Sequence, residues 1–416
     1  MVALRRNALR GAKYKKRRRP TMREYSKEQN KSEQVVTNRI AGVVLRKIET
    51  AQKKKEKEAE AERVEYYIGI DLGDQKSYYC VLGKGGEILV EGSMPTTAAG
   101  IEVHFKGLGR SRIAIEVGTH SPWVSEQLEG QGHEVYVANT RKMGSGKKNR
   151  RKNDRLDAEM LARQVRTDPK QMYPIRHRKE KTRQGLVVLR VREALVNART
   201  KLVNAVRGIV KSSGQRLPKC GTEVFHNVNV EGLPEDLRSA LKPLLEQIGQ
   251  LTEKIKGYDK EVKRISVKEY PETEILRQVH GVGMLVALAY VLIMEDPEYF
   301  QKSRDAGPYL GLVPKQYESG KSSPQLRITK TGDRMMRKLL VQSAQYILGP
   351  FGEDSDLRRH GMKIAERGGK NGKKRAIVAV ARKLAVLLHR LWQTGEVYNP
   401  LYNSQANAEN ELRKTA

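Results

Sequence analysis

The spacing of apolar positions changes character along the chain. Short apolar runs come first, at 66–70, 78–82, 87–91, 113–116 and 134–137. Their length and the Gly and Asp residues between them predict strands. A Gly/Asp turn joins the first two, and 122–131 is predicted as a helix between the last two. An opening meander followed by alternating helix and strand predicts a mixed sheet with helices on its faces, over about 65–165.

Beyond 180 the period lengthens. Leu186, Leu189, Leu195, Leu202, Val206 and Ile209 mark the apolar side of a helix over 181–213, which Gly214 ends. Over 234–267, Leu237, Leu241, Leu244, Ile248, Leu251, Ile255, Tyr258, Val262 and Ile265 alternate spacings of four and three. So long a register predicts a coiled coil, drawn here as a projecting helical hairpin suited to dimerisation. A packed amphipathic helix gives a similar but usually shorter pattern. The solid apolar run 284–294 follows His280-Gly281-Val282-Gly283, the order of a helix-hairpin-helix element. Hairpin amides beside a helix N-terminus can hold a phosphate without reading bases; an ordinary tight turn is the plain alternative. A helix over 335–347 and a basic surface backed by an apolar stripe over 362–392 complete the pattern.

Charge narrows the partners. The 416 residues carry 80 Lys and Arg against 48 Asp and Glu, a formal charge of +32. Such a field favours polyanions. Aromatic residues are only 6%, so phosphate contact is expected ahead of base stacking. The two cysteines, Cys80 and Cys220, form neither a zinc spacing nor a disulfide framework, as suits a reducing cytosol. The longest apolar run, eleven residues, is too short to span a bilayer, so no membrane association is expected. Nine Lys and Arg lie in residues 1–20 without an acid, and a helical segment is expected from about 33 to 63. Residues 1–64 fit a nucleic-acid arm or a solubilising extension equally well.

Against that charge, four acids stand out. Asp71 and Glu116 each end a strand, while Asp154 and Asp157 lie three apart on a predicted helix and so share a face. Acids on two strands and a following helix, in that order, match an RNase-H-like site for divalent metal. Capping by Asp154 and pairing of Asp157 with Arg155 or Arg151 would be the structural alternative. The stretch 141–152 has seven Lys and Arg, among them Lys147, Lys148, Arg150 and Arg151. It leads directly into that helix and fits a loop that holds a phosphodiester there and an exposed, solvated linker equally well. Further on, Ser319-Gly320 lies among Lys315, Lys321, Arg327, Lys330, Arg334 and Arg337. No Ser-His-Asp set surrounds it, but a serine can attack a DNA phosphate where positive charge is concentrated. Ser322 and Ser323 are rivals on sequence alone.

The ordered set Gly69-Ile70-Asp71, Glu116, Asn153-Asp154-x-x-Asp157-Ala158, His280-Gly281-Val282-Gly283, Gly311-Leu312-Val313-Pro314, Ser319-Gly320 and Ile328-Thr329-Lys330-x-Gly332-Asp333 resembles the IS-one-ten family of insertion-sequence transposases, over roughly 65–395. The resemblance implies a basic extension (1–64), an RNase-H-like (RuvC-like) α/β domain (65–180), a coiled-coil helical region (181–270), a mainly helical C-terminal transposase domain with the helix-hairpin-helix element (271–401) and a tail (402–416). It implies Asp71, Glu116, Asp154 and Asp157 as ligands of Mg²⁺ or Mn²⁺, and Ser319 as nucleophile. Nucleic-acid contacts are expected from the 147–151 cations, Gly281, Gly283, Lys321, Arg327, Lys330, Arg334 and Arg337. Donor and target double-stranded DNA, a structured non-coding bridge RNA that supplies sequence choice by pairing, and a homodimer or homotetramer with a shared active site are the implied partners. A cytoplasmic, nucleoid-associated place in a prokaryote follows. His280 stands where the family's hairpin usually has proline, which would loosen the turn. Two other functions compete: a hydrolytic structure-specific nuclease, which needs the acids but no serine, and a non-catalytic nucleic-acid-binding protein.

Overall fold

The computed structural model describes residues 64–143, 153–319, 322, 324, 326–369 and 371–405. The described residues fall into two compact units, one ending at His177 and the other beginning at Arg178. The expected helix over 33–63, and with it nearly all of the basic extension, lies outside them.

The first unit is built on a five-stranded sheet of order β3-β2-β1-β4-β5. The strands are β1 (Tyr66–Asp71), β2 (Lys76–Leu82), β3 (Ile88–Pro95), β4 (Ser111–Glu116) and β5 (Glu134–Ala138). The first three form an antiparallel meander, and β1, β4 and β5 are parallel. This mixed α/β arrangement is consistent with an RNase-H-like domain. Alternation along the strands divides the core. Ile68, Ile70, Ile113 and Ile115 face α1 (Ala98–Phe105) and α2 (Ser121–Gly130), meeting Ile101, Phe105, Val124 and Leu128. Ala114 and Ala138 face the other way, towards Leu161 and Val165.

Helix α1 is the element the periodicity did not announce. Thr97 caps it, accepting from the Gly100 amide at 3.1 Å, and Ile101 and Phe105 bury one face. Strand β3 runs four residues beyond the expected 87–91 because it pairs with β2 as far as Lys76–Pro95. After the short α3 (Thr140–Met143), which opens the basic stretch, comes α4 (Asp154–Thr167).

The second unit begins with two long helices, α5 (Glu180–Ser212) and α6 (Glu235–Glu269). Ion pairs Lys181–Glu269 (3.8 Å) and Arg192–Asp259 (2.6 Å), with Arg199 donating to Thr252 Oγ1 at 3.3 Å, show that they run antiparallel. The stripe on α6 buries Leu241, Ile248, Leu251, Ile255, Val262 and Ile265. Its far half has a core of its own with Val203, Val206, Val210 and Phe225. Its near half joins the main core of the unit, which also holds Leu186 and Leu189.

That core is centred on α8 (Met284–Met294), reached through α7 (Thr273–Arg277) and the Gly281–Gly283 turn. Eight of its residues are buried, and the Tyr290 hydroxyl donates to the Ala385 carbonyl at 2.6 Å. The short α9 (Ala306–Tyr309), then α10 (Arg334–Leu348), α11 (Asp356–Glu366) and α12 (Gly372–Thr394) enclose it. The basic stretch 362–392 is two helices, broken where Gly368 and Gly369 take φ values of +74° and +81° that other residues rarely adopt. Among the described residues, no helix is long and apolar enough to cross a membrane.

Candidate functional site

The carboxylates meet at one end of the sheet. Asp71 ends β1, and Asp154 and Asp157 occupy the first turn of α4. One ligand atom from each lies within 4.8 Å of the others, with Asp71 and Asp157 half-buried and Asp154 exposed. Two local features bring the helix there. Asn153, not Asp154, is the cap: its side chain accepts from the Arg155 amide at 3.1 Å, which leaves Asp154 free of that task. Gly69, two residues before Asp71, lets α4 cross β1 in close contact, because a Cβ there would overlap the Ala158 carbonyl. Arg155 does not pair with Asp157; it makes an ion pair with Glu91 on β3, pinning the first turn of α4 to the sheet.

Glu116 is not part of the three-carboxylate group. It ends β4, whose register with β1 pairs Ile115 with Ile70, so Glu116 is one position beyond that pair, as Asp71 is on its own strand. It therefore borders the same end of the sheet from the adjacent strand. All-oxygen donors in this number suit a hard divalent cation such as Mg²⁺ or Mn²⁺ and are poor for softer metals. Nearby Cys80 is buried, and burial together with Glu91 and Glu159 pushes its thiol up to about 11, which keeps it protonated. Sequence reasoning missed one contact at this edge: His120, after β4, lies 3.4 Å from Asp74, after β1, and the Trp123 indole N–H donates to its other ring nitrogen at 3.2 Å.

Ser319 lies in the second unit, exposed, near the tip of a ribbon spanning 313–329. Thr329 N–H donates to the Val313 carbonyl and Lys315 N–H to that of Arg327, both at 2.9 Å. At the tip, Ser319 and Ser322 exchange backbone bonds of 3.1 and 3.0 Å. Arg327 is on the returning arm, Lys330 at the base with φ +59°, and Arg334 opens α10; all three are exposed. Arg337 differs from the expectation. Its guanidinium donates to the carbonyls of Leu310, at 3.3 Å, and Gly332, so this half-buried side chain braces the base of the ribbon. Burial lowers its pKa from the usual arginine value. Lys147, Lys148, Arg150 and Arg151, with Gly320, Lys321 and Ser323, lie outside the described residues.

In the 280–283 turn, Gly283 is exposed at the start of α8, while Gly281 packs on Ile347 and Tyr346. His280 anchors this turn. Its ring lies 3.2 Å from the Phe351 carbonyl and 3.1 Å from Glu353, against Tyr346 at 5.2 Å between centroids.

Two family models match the chain. An IS110-type DEDD transposase model covers residues 68–214, and one described as the transposase IS116/IS110/IS902 family covers 273–356. The four acids fall within the first match, and Gly281, Ser319 and Arg337 within the second. The transposase for insertion sequence element IS1111A of Coxiella burnetii is 29% identical over 254 residues, 59% of this chain and 68% of that protein. The transposase for insertion sequence element IS1328 of Yersinia enterocolitica is 28% identical over 237 residues, 56% of this chain and 70% of the relative. A probable family 20 transposase of Pseudomonas aeruginosa is 25% identical over 341 residues, 80% of this chain and 98% of that protein.

Proposed function

Because the chain belongs to the IS110 family of insertion-sequence transposases, we propose that it cuts and rejoins double-stranded DNA through a covalent bond between Ser319 and a DNA phosphate. The convergence of Asp71, Asp154 and Asp157, with Glu116 on the adjacent strand, is the observation that supports a metal site for this chemistry, and the serine step rests on the family and on the exposed position of Ser319. These four acids would hold Mg²⁺ or Mn²⁺. The bound cation would supply positive charge to a phosphate and its leaving oxygen.

In the proposed step Ser319 Oγ bonds to phosphorus, the phosphorus–oxygen bond to the departing strand end breaks, and the serine proton ends on that oxygen. One phosphoester replaces another, so a hydroxyl of an incoming strand can reverse the exchange and restore a phosphodiester. Arg327, Lys330 and Arg334 offer exposed positive charge for the phosphate. Arg337, assigned to the same surface, also braces the base of the ribbon. The cations at 147–151 and Lys321, together with Gly281 and Gly283, are assigned to the nucleic-acid surface on charge and position in sequence.

The same reading includes a structured guide RNA that chooses the DNA by base pairing, a homodimer or homotetramer with a shared active site, and action at the nucleoid in a prokaryotic cytoplasm. The RNA and the assembly rest on the family alone. The long antiparallel α5–α6 pair is assigned as the family's coiled coil, with residues 65–180 as the metal domain and 271–401 as the serine domain.

A denaturing gel tests the chemistry, using labelled donor and target duplexes, Mg²⁺ and RNA from the element's flanks. A protein–DNA adduct formed by the wild type and absent in Ser319→Ala is the expected result. Cleaved DNA without any adduct would replace this reading with that of a hydrolytic nuclease.

A further inference from the structure

The second unit holds a groove of about 1610 Å³, walled on one side by the ribbon that carries Ser319 and on the other by α11, α12 and residues 396–403. Its lining along α12 alternates. Lys374 with Arg375 and Arg382 with Lys383 are exposed cationic rungs, and Arg390, at the end of the ladder, is paired with Glu396 and lies over the Tyr402 ring. Val378 with Ala379 and Val386 with Leu387 are half-buried apolar rungs between them. Successive rungs are four residues apart, about 6 Å of helix rise and about 40° of turn, so the ladder winds gradually around α12 along the groove. Arg327, Lys330 and Arg367 add charge from the other elements.

Among the described residues, two carboxylates line the groove, and both are engaged. Asp356 accepts from the Asn403 backbone at 2.7 Å and from the Ser404 hydroxyl, while Glu396 pairs with Arg390 at 2.8 Å. Among the described residues, no ion pair engages Arg367, Lys374, Arg382 or Lys383. The field is felt within the groove: His360 titrates below its ordinary value, first through burial and then through Lys383, Arg367 and Lys363.

Cations alone would suit any polynucleotide. The apolar rungs and the tyrosines at one end, Tyr398 and Tyr402, separate the candidates. A duplex turns its phosphates and sugars outward and keeps its base faces stacked inside. A single strand offers phosphates and base faces together, which a ladder of alternating cationic and apolar contacts can engage. The base of the ribbon, through Pro314, Arg327 and Ile328, lines the groove, and Ser319 is near the other end of that ribbon, which points to the strand being processed. We infer that this groove binds single-stranded DNA, its phosphates on the cationic rungs and its bases on the apolar rungs and the two tyrosines. The inference rests on the reading of Ser319 as acting on DNA, and it adds a place on the protein that holds a separated strand of that DNA.

The test uses the full chain and a labelled 12-nucleotide DNA strand containing 5-iodouracil, with irradiation and mapping of the crosslinked peptides. Crosslinks to Tyr398 or Tyr402 are expected, with a loss of at least tenfold in the triple variant Lys374→Gln, Arg382→Gln, Lys383→Gln. These three side chains are exposed, so the fold should persist, which circular dichroism checks. Unlabelled single-stranded DNA should compete at least tenfold better than the same sequence as a duplex. Crosslinks confined to other regions, equal competition by duplex, or stronger competition by single-stranded RNA would each overturn the proposal. Ser319→Ala separates the two readings. Adduct lost with crosslink kept supports both. A crosslink at the tyrosines with no adduct from any form of the protein leaves the groove standing and removes the serine.

Discussion

Gly69 on β1 and Ala158 on α4 are in such close contact that a methyl group on Gly69 would overlap the Ala158 carbonyl, the Ala162 amide and the Leu161 side chain. Asp71 is two residues beyond one partner and Asp157 one residue before the other, so this crossing sets the separation of the carboxylates. Gly69→Ala must displace a helix backbone and not the end of a flexible side chain. The cost is expected at or above the upper end of ordinary overpacking, about 3 kcal/mol. Calorimetry should show the first unit unfolding at lower temperature, with weakened Mn²⁺ binding. Normal stability in that variant would mean that α4 does not depend on this contact.

Asp157→Asn should change sign with conditions. Three carboxylates within 4.8 Å of one another repel when no cation is present, so removing one charge should raise the melting temperature in EDTA. With Mg²⁺ or Mn²⁺ the wild type gains binding energy that the variant loses, and the order should reverse. Metal affinity by titration calorimetry should fall by at least the roughly 10–100-fold seen when supporting groups of metal sites are altered. A variant less stable than the wild type in EDTA would argue for a structural role of Asp157.

How much of this was legible beforehand differs from element to element. Helix α8 has the bounds its apolar run predicts, because an unbroken run begun at Gly283 leaves little room for another reading. Strands β1 and β4, each ending in an acid, were likewise visible in local pattern. Helix α1 was not: its apolar face is little more than Ile101 and Phe105, interrupted by Gly100. The grouping of Asp71 with Asp154 and Asp157 was expected from order along the chain, but the contact that creates it joins segments nearly ninety residues apart, and Gly69 gave no local sign of it. Arg337 looked like its basic neighbours, and only the ribbon folded onto it reveals the two carbonyls it serves.

Arg337 and Arg327 should therefore fail differently. Arg337→Ala leaves the Leu310 and Gly332 carbonyls without that donor, at a cost of about 1–3 kcal/mol. Its adduct yield should drop together with the melting temperature of the second unit. Arg327→Ala removes an exposed cation, so adduct formation should weaken, most at low salt, with the melting temperature unchanged. Equal melting temperatures for the two variants would dismiss the brace.

Acid should loosen the first unit before its carboxylates titrate. His133 is only 5% exposed, and both ring nitrogens are committed. The Ser111 amide donates to Nδ1 at 3.3 Å, so that nitrogen carries no proton, and Nε2–H donates to the Phe105 carbonyl at 3.2 Å. Protonating Nδ1 would set two donors against each other in a buried site. Burial accordingly depresses the histidine below its ordinary value near 6.5. The unfolded chain then binds the proton more readily than the folded one. The contribution of His133 is fully present above about pH 6.5 and is lost as pH falls from there towards the depressed folded value. Thermal melts between pH 7.5 and 5 should show the transition of the first unit moving down through this window. His133→Gln, which keeps an acceptor and a donor but does not titrate, should flatten that slope. His389, buried between Ser303 and the Pro297 carbonyl and depressed for the same reason, should leave the slope of the second unit intact in that variant. An unchanged slope in the first unit would assign its acid sensitivity elsewhere.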